Sequence, residues 1–400
     1  MKIQSTSGDK YRFPWRSGNH FTALKDGDVF FHRMLNAIES ARQYILLEMY
    51  LVESGQIANK FINALSSAAQ RGVVIYVLID DYGSLELDSE DKQKILRAGI
   101  HLTYYNPLSS HSYLYNVYQI LWQKVDRHLY RDHRKLLLID GKLAYVGGAG
   151  ITDDFDPPVT PKMRWRETML EIKGPVIQDW QSLFKESWDL YAQEKLSLAF
   201  DNTECFSDDS YGRVITSEGF KCQEISRSLI KRIRSAEHRV WFATAYFVPS
   251  WTIRRALRYA AKRGADVRLL LPGPYTDHPS VRHVGRRFYT RLLRHGVKVF
   301  EYQPRFMHAK TVLCDNWVSI GSSNLDQWNL RWNLEANQEI DDSNFAGEIQ
   351  QILEEDFTKC HQFTYSEWRR RAPYLRLMEW FWRRIGLLII KLTDRIKSKR

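Results

Sequence analysis

The octapeptide HRKLLLID at residues 133–140 recurs in outline as HAKTVLCD at residues 308–315, so one pattern, His-x-Lys-x4-Asp, occurs in both halves of the chain. On an extended strand side chains two apart share a face, which makes His133 project with Lys135 and His308 with Lys310. Asp140 and Asp315 belong to the same motif and are grouped with its candidate catalytic residues. Their odd spacing from the lysines takes them off that face, however. They fall in the pairs Asp140–Gly141 and Asp315–Asn316, which suit hairpin turns, and parity therefore gives them a structural task at the turn.

Working outward, the two motifs are the best-matched points of an internal repeat. ILLEMYLVE at 45–53 resembles WFATAYFVP at 241–249, with Tyr50 opposite Tyr246 and Val52 opposite Val248. AAQRG at 68–72 matches AAKRG at 260–264, LRAG at 96–99 matches LRHG at 293–296, and YYNP at 104–107 matches EYQP at 301–304. Each half reads as strand, helix, strand, helix, strand, then a gap and a further strand opening at the histidine. Gly72, Gly99, Gly264 and Gly296 stand where glycine ends a helix. This alternation predicts an α/β fold of two similar halves with mixed, largely parallel sheets, related by a pseudo-twofold around one site. The expected organisation is a first half over 1–195, a linker over 196–213 rich in Asp, Ser and Asn, a second half over 214–365, and a tail over 366–400. With residue frequencies of a few per cent, one such motif arises by chance in roughly one chain in tens. Two copies at matching points of a repeat do not.

The repeat breaks in one place: 25 residues separate Pro107 from His133, but three separate Pro304 from His308. The extra segment, 108–132, is rich in Tyr, Leu and Trp. It reads either as a helix packed on the core or as a lid or membrane-facing flap. The second is preferred because the segment ends immediately before His133.

Downstream of each motif lie GGAG at 147–150 and GSSN at 321–324, small residues that let backbone approach a phosphoryl group, with Ser322 and Asn324 as neutral hydrogen-bonding side chains. NLEAN at 333–337 sets Asn333, Glu335 and Asn337 on one strand face, and Glu167 in RWRET is the counterpart in the first half. Two His and two Lys lack the carboxylates and spacing of a zinc or magnesium site, so neither metal nor other cofactor is expected. Two lysines supply fixed positive charge for the non-bridging oxygens of a phosphodiester. One neutral imidazole can attack phosphorus and the other, protonated, can donate to the leaving oxygen; the residues alone leave open which does which. A carboxylate behind each ring fixes its tautomer, and Glu335 and Glu167 are the candidates.

The doubled motif resembles that of the phospholipase D superfamily. The stretches WRSGN, LLEMYLVE, AAQRGV, HRKLLLIDGKLAYVGG, AYFVP, HAK, GSSNLD and NLEAN together resemble bacterial cardiolipin synthases, in particular the short type B form without N-terminal transmembrane helices. The resemblance runs from about Trp15 to Asn337. It implies a shared, metal-independent site with a phosphatidyl-histidine intermediate. His133 would be the nucleophile, His308 the general acid and base, and Lys135, Lys310 and Asn324 the phosphate holders. The implied reaction moves phosphatidyl from one phosphatidylglycerol to another with release of glycerol. Gly150 departs from the family pattern, which has Asn there, so the first half lacks one neutral phosphate ligand.

Composition is that of a globular protein, 44% apolar and 26% charged, which excludes wholesale disorder. The net charge of +11 is uneven: residues 366–400 hold 11 Lys/Arg against three acids, net +8, leaving +3 for the rest. That tail mixes Trp380, Phe381, Trp382, Ile385, Leu388, Ile389 and Leu392 with cations at helical intervals, and reads as an amphipathic helix on an anionic membrane surface in preference to one closing on the domain. Arg282, Arg286, Arg287, Arg291 and Arg294 recur near helical spacing and read as a solvated face. Cys205, Cys222, Cys314 and Cys360 show neither metal-ligand nor disulfide spacing. No run of about 18 apolar residues suggests a bilayer-spanning helix, so the expected location is peripheral, on the cytoplasmic side of the cell membrane. The expected partners are phosphatidylglycerol and other anionic phospholipids; nucleic acid is disfavoured. Two competing functions use the same residues differently: a phospholipase D or nuclease with water as acceptor, and a non-catalytic membrane scaffold, against which the intact His and Lys pairs argue.

Overall fold

The computed structural model describes residues 11–107, 130–198, 205–206, 210–218, 222–326 and 333–371. Residues 108–129 of the aromatic insertion 108–132, and residues 372–400 of the tail 366–400, lie outside the described residues.

The first half contains β1 (Arg16–Lys25), α1 (Gly27–Ser40), β2 (Tyr44–Met49), α2 (Gln56–Gln70), β3 (Val74–Asp80), α3 (Ser89–Arg97), β4 (His101–Tyr105), β5 (Arg131–Asp132), β6 (Lys135–Ile139), β7 (Leu143–Val146), β8 (Thr168–Lys173) and α4 (Ile177–Tyr191). The second contains β9 (Ser210–Glu218), β10 (Cys222–Gln223), α5 (Glu224–Ser235), β11 (Arg239–Ala243), β12 (Phe247–Val248), α6 (Trp251–Lys262) and β13 (Asp266–Pro272). It continues with α7 (Pro279–Arg286), α8 (Tyr289–Leu293), β14 (Lys298–Tyr302), β15 (Thr311–Cys314), β16 (Trp317–Gly321), β17 (Leu325–Asp326), β18 (Asn333–Asp341), α9 (Ser343–Thr358), β19 (Cys360–Phe363) and α10 (Tyr365–Arg370). Strand β9 opens at Ser210, so residues 210–213 of the expected linker are sheet.

Strand order repeats as the sequence does. The first sheet runs β4-β3-β2-β6-β7-β8-β1 and the second β14-β13-β11-β15-β16-β18-β9. Both sheets are mixed. Apart from the short β5–β18 pairing, their parallel share lies in three strands ahead of each motif, joined by crossover helices. The motif strands and those after them pair antiparallel, with hairpins joining β6 to β7 and β15 to β16. Strand β1 also pairs with β9, joining the two sheets.

Helices cover both faces of each sheet, and the strands alternate to serve them. Tyr44 and Leu46 of β2, with Leu136 and Leu138 of β6, face a central core that also takes Trp180 and Phe184 of α4, Trp241 of β11 and Ile349 and Leu353 of α9. Ile45, Leu47, Leu137 and Ile139 face the opposite way, onto α1 and α2. Val240, Phe242 and Leu269 do the same in the second half, onto α5 and α6. This period of two buries both faces of the central strands, which is why they read as continuous apolar runs. Gly72, Gly99, Gly264 and Gly296 all have φ between 77° and 103°, the left-handed conformation expected past a helix end.

The motif aspartates are the clamps of this arrangement. Asp140 has φ 51° and its carboxylate accepts the backbone N–H groups of Arg42, Gln43 and Tyr44 at 2.8–2.9 Å, tying the β6–β7 turn to the start of β2. Asp315, also at φ 51°, takes the N–H groups of Glu237, His238 and Arg239 at 2.9–3.0 Å and does the same for β11. Replacing either by Ala strands up to three donors. We expect Asp140→Ala and Asp315→Ala each to lower stability by about 2–3 kcal/mol in urea titrations, with turnover per folded molecule retained. Unchanged stability with lost turnover would return the carboxylate to the chemistry.

Candidate active site

Both motifs sit at the carboxyl ends of the parallel strands, where open α/β sheets bind ligands. Lys135 pairs with Met49, the last residue of β2, and Tyr50 follows it. Each histidine is gripped by the opposite half. The backbone N–H of His133 donates to the carbonyl of Leu334 at 2.9 Å, and its Nδ1 lies 3.2 Å from the Glu335 carboxylate. The backbone N–H of His308 donates to the carbonyl of Arg166 at 2.8 Å, and its Nδ1 lies 2.7 Å from Glu167. Short parallel bridges, Leu334 with Asp132 and Arg166 with Met307, carry these contacts. A carboxylate on Nδ1 leaves Nε2 of each ring for a substrate.

Both lysines are buried. Lys135 Nζ donates to the carbonyl of His133 and lies 5.0 Å from the Tyr50 ring centroid. Burial pushes the Lys135 pKa down to about 7; Glu335 opposes the shift and Lys310 adds to it. Lys310 Nζ donates to the carbonyl of His308 at 2.7 Å and to Glu167 at 3.4 Å, and stands 3.0 and 3.2 Å from the two nitrogens of His308. Its pKa is also lowered by burial, against the pull of Glu167 and Glu335. Each lysine thus feels the carboxylates of both halves, which makes this one electrostatic site. Burial lowers the pKa of His133, and burial with the adjacent Lys310 lowers that of His308 to about 4, so both rings are neutral at pH 7 in the free protein. Burial alone would raise the Glu167 pKa; Lys310 and the His308 hydrogen bond overcome it and hold the group ionised.

The remaining expected residues divide. Ser322 is turned from any phosphate: its hydroxyl donates to Glu335 and accepts the N–H of Ala336 at 3.1 Å, so it orients the carboxylate. Asn324 is 1% exposed and accepts from Thr244 at 3.5 Å, while its Nδ2 has no partner among the described residues. A buried amide donor left open costs stability unless a ligand takes it. Gly148 is required by space, since a Cβ there would lie 2.2 Å from Glu167 Oε2 and 2.8 Å from Lys310 Nζ. At Gly150 a Cβ would meet the Leu51 carbonyl and Cβ at 2.7 Å, so Leu51 occupies the room an Asn would need. Asp140 and Asp315, grouped with the catalytic residues by motif, are turn clamps and leave that set. The arginine series is corrected too: Arg282 and Arg286 point inward to the buried Glu301 at 2.7–2.8 Å.

Sequence reasoning missed the aromatic walls. Tyr50 packs on His133 with ring centroids 4.7 Å apart, and Phe155, Trp165 and Phe306 surround His308 at 5.1–5.5 Å. The alignment of Tyr50 with Tyr246 was the available signal for the first. It also missed the buried Arg166–Asp356 pair, 2.6 Å apart, beneath the carbonyl that holds His308. Among the described residues no three His, Cys, Asp or Glu side chains converge to hold a metal ion.

Two α/β halves that pool two His-Lys pairs, each His backed by the other half's glutamate, define a phospholipase D-type phosphoryl-transfer protein. Residues 34–188 and 229–357 match the family described as "Cardiolipin synthase, PLD-like domain", and the chain belongs to it, as a phosphatidyltransferase of that superfamily. Cardiolipin synthase A of Pseudomonas aeruginosa strain LESB58 is 32% identical over 390 residues, 96% of this chain and 75% of that protein. Its namesake in Pseudomonas fluorescens Pf-5 is 32% identical over 365 residues, 90% of this chain and 73% of that one. The solved phosphatidylserine synthase of Haemophilus influenzae superposes with TM-score 0.71 at 13% identity, covering 95% of this chain and 97% of that one, a likeness of fold.

Two outcomes are expected of this geometry. Gly148→Ala should cost at least about 100-fold in turnover with an unchanged melting curve, because it displaces Glu167 and Lys310 from His308; full activity would show that the pair need not be held there. Binding of inorganic phosphate at pH 7.5 should take up protons, since an anion beside Lys135 lifts a pKa of about 7 and completes its protonation. Calorimetry in buffers of different ionisation enthalpy reads this, and Lys135→Met should abolish most of it.

Proposed function

We propose that the protein is a cardiolipin synthase that moves a phosphatidyl group between two phosphatidylglycerol molecules at the cytoplasmic face of a membrane. The observation that carries the reading is the reciprocal hold of His133 by Glu335 and His308 by Glu167 around two buried lysines. In the first step His133 Nε2, neutral and oriented by Glu335, attacks phosphorus. The bond to the glycerol headgroup breaks and His308 protonates the departing oxygen. The incoming phosphodiester brings negative charge beside His308 and raises its basicity, so that His308 takes up a proton from solvent on binding and then donates that proton to the departing oxygen. In the second step His308 takes the proton of the terminal hydroxyl of another phosphatidylglycerol. That oxygen attacks the phosphatidyl-histidine and frees His133. Lys135, Lys310 and the open amide of Asn324 would stabilise the phosphoryl oxygens throughout. Glycerol and cardiolipin are the products, and no step calls on a cofactor.

Among the described residues no helix is long and apolar enough to cross a membrane, and membrane contact is proposed as peripheral. The division into a first half over 1–195 and a second half that opens with β9 at Ser210 and runs to 365, with a basic tail over 366–400 as a surface anchor, is part of the same proposal.

The test is mass spectrometry of phosphatidylglycerol vesicles incubated with purified protein in EDTA, beside His133→Ala and His308→Ala. Cardiolipin and glycerol from the wild type, with each variant reduced by about 1,000-fold or more, is the expected result. Phosphatidic acid without cardiolipin would move the reading to a hydrolase.

A further inference from the structure

The repeat supplies an internal comparison for the outer surfaces. Helices α1 and α2 cover the first sheet, and α5 and α6 cover the second in equivalent positions. On α1 and α2 the charges are Asp28, Arg33, Glu39 and Lys60, two of each sign, net zero. On α5 and α6 there are eight Lys/Arg (Arg227, Lys231, Arg232, Arg234, Arg254, Arg255, Arg258, Lys262) against Glu224 alone, net +7. The fold is the same and the packing task is the same, so folding does not demand this charge. Glu224 is buried and faces inward, taking the N–H of Thr216 at 3.1 Å.

These cations are largely uncompensated. Arg232 pairs with Asp341 at 3.2 Å, but among the described residues no carboxylate forms an ion pair with Lys231, Arg234, Arg255, Arg258 or Lys262. Burial lowers the pKa of Arg258, and Arg291 and Arg255 push it the same way, a mark of crowded like charge. Aromatic rings are interleaved. Trp251 is 53% and Tyr259 50% exposed, and the Arg255 guanidinium lies 5.2 and 5.4 Å from their ring centroids, so the three form a ladder at four-residue spacing. No other tryptophan among the described residues is so exposed. Between the helices an open depression of about 630 Å³ is lined by Lys231, Arg234, Ile230 and Thr252, cationic at its rim with an apolar contribution from Ile230.

We propose that this outer face of α5 and α6 docks on an anionic lipid bilayer. The chemistry selects that occupant. Exposed Trp and Tyr are stable at the headgroup level, where ring and polar edge are both satisfied. Each Lys or Arg near an anionic surface adds attraction. A second copy of this chain presenting the same cationic face would be repelled. The location suits the purpose: Ser250 caps α6 immediately after β12, whose residue Phe247 pairs with Leu325 beside Asn324, so the face begins at the rim of the active site. The assignment goes beyond the tail as an anchor, and rests on the phosphatidyltransferase reading only for the benefit of holding that rim against its substrate.

The test uses the full chain with its tail intact. Wild type, Arg255→Gln/Arg258→Gln/Lys262→Gln, Trp251→Ser and a control Lys60→Gln are sedimented with vesicles of phosphatidylglycerol and phosphatidylcholine, and with phosphatidylcholine alone. The triple variant should lose about tenfold or more in partitioning to the anionic vesicles, Trp251→Ser should lose several-fold, and Lys60→Gln should match the wild type. Turnover on vesicles divided by turnover on short-chain, monomeric phosphatidylglycerol should fall in step, a ratio that a misfolded variant does not move. Unchanged partitioning of the triple variant would overturn the proposal. So would unchanged vesicle binding accompanied by lost affinity for a single-stranded oligonucleotide, which would make the face a nucleic-acid surface. Partitioning is read whether or not cardiolipin forms, so failure here is separable from failure of the proposed reaction.

Discussion

The arrangement rests on a reciprocal grip. His133 and His308 lie just ahead of strands of different sheets, yet each has its backbone N–H held by a carbonyl of the other half and its ring by the glutamate next in sequence to that carbonyl. A histidine positioned only by its own strand would be free at χ1 and χ2. Here main chain and side chain are fixed by the same two-residue unit, Leu334–Glu335 or Arg166–Glu167. The site therefore exists only when the halves are joined, and the clamps at Asp140 and Asp315 matter because they set the strands from which the histidines project.

That grip permits a concentration of charge the protein would otherwise avoid. Two lysines, two glutamates and two imidazoles are withdrawn from water together, and unpaired burial of any one would be costly. Glu167 is held ionised, the lysines are pushed toward neutrality and the imidazoles are neutral. On the proposed reaction, a phosphodiester would restore the balance by adding negative charge where Lys135 and Lys310 are short of it. Affinity for the phosphoryl group and its activation would then share one cause, a dry site whose buried lysines lack a full complement of anions.

The halves are not equivalent under their common fold. Behind His133, Arg134 is bracketed by Asp132 at 2.7 Å and Glu48 at 2.9 Å, all buried. Burial keeps the Glu48 pKa raised, while Arg134 overcomes the same effect on Asp132 and keeps it ionised. The second half has Thr244, Met307 and Ala309 at the matching places, and its support comes instead from Arg166 and Asp356. His308 sits in an aromatic box of Phe155, Trp165 and Phe306, whereas among the described residues His133 packs against Tyr50. The room lost to Leu51 at Gly150 leaves Asn324 as the one amide of its kind. Such differences would let two identical imidazoles take the different parts proposed for them.

The repeat, the strand and helix alternation, the pairing of His with Lys on one face and the candidacy of Glu167 and Glu335 were all legible in the chain, because they depend on periodicity and on spacing within one strand. The structural task of Asp140 and Asp315 was legible by parity for the same reason. Other features depend on what comes near across long sequence separations, and a linear pattern does not contain that. Examples are the crossing of each glutamate to the other half's histidine, the redirection of Ser322 to Glu335, the capture of Arg282 and Arg286 by Glu301, the steric reason for Gly150 and the early start of β9 at Ser210. The sequence by itself determined which residues could do phosphoryl chemistry. Only the tertiary structure decided which carboxylate meets which ring and how far burial shifts each proton, because distance and desolvation are properties of the packed molecule.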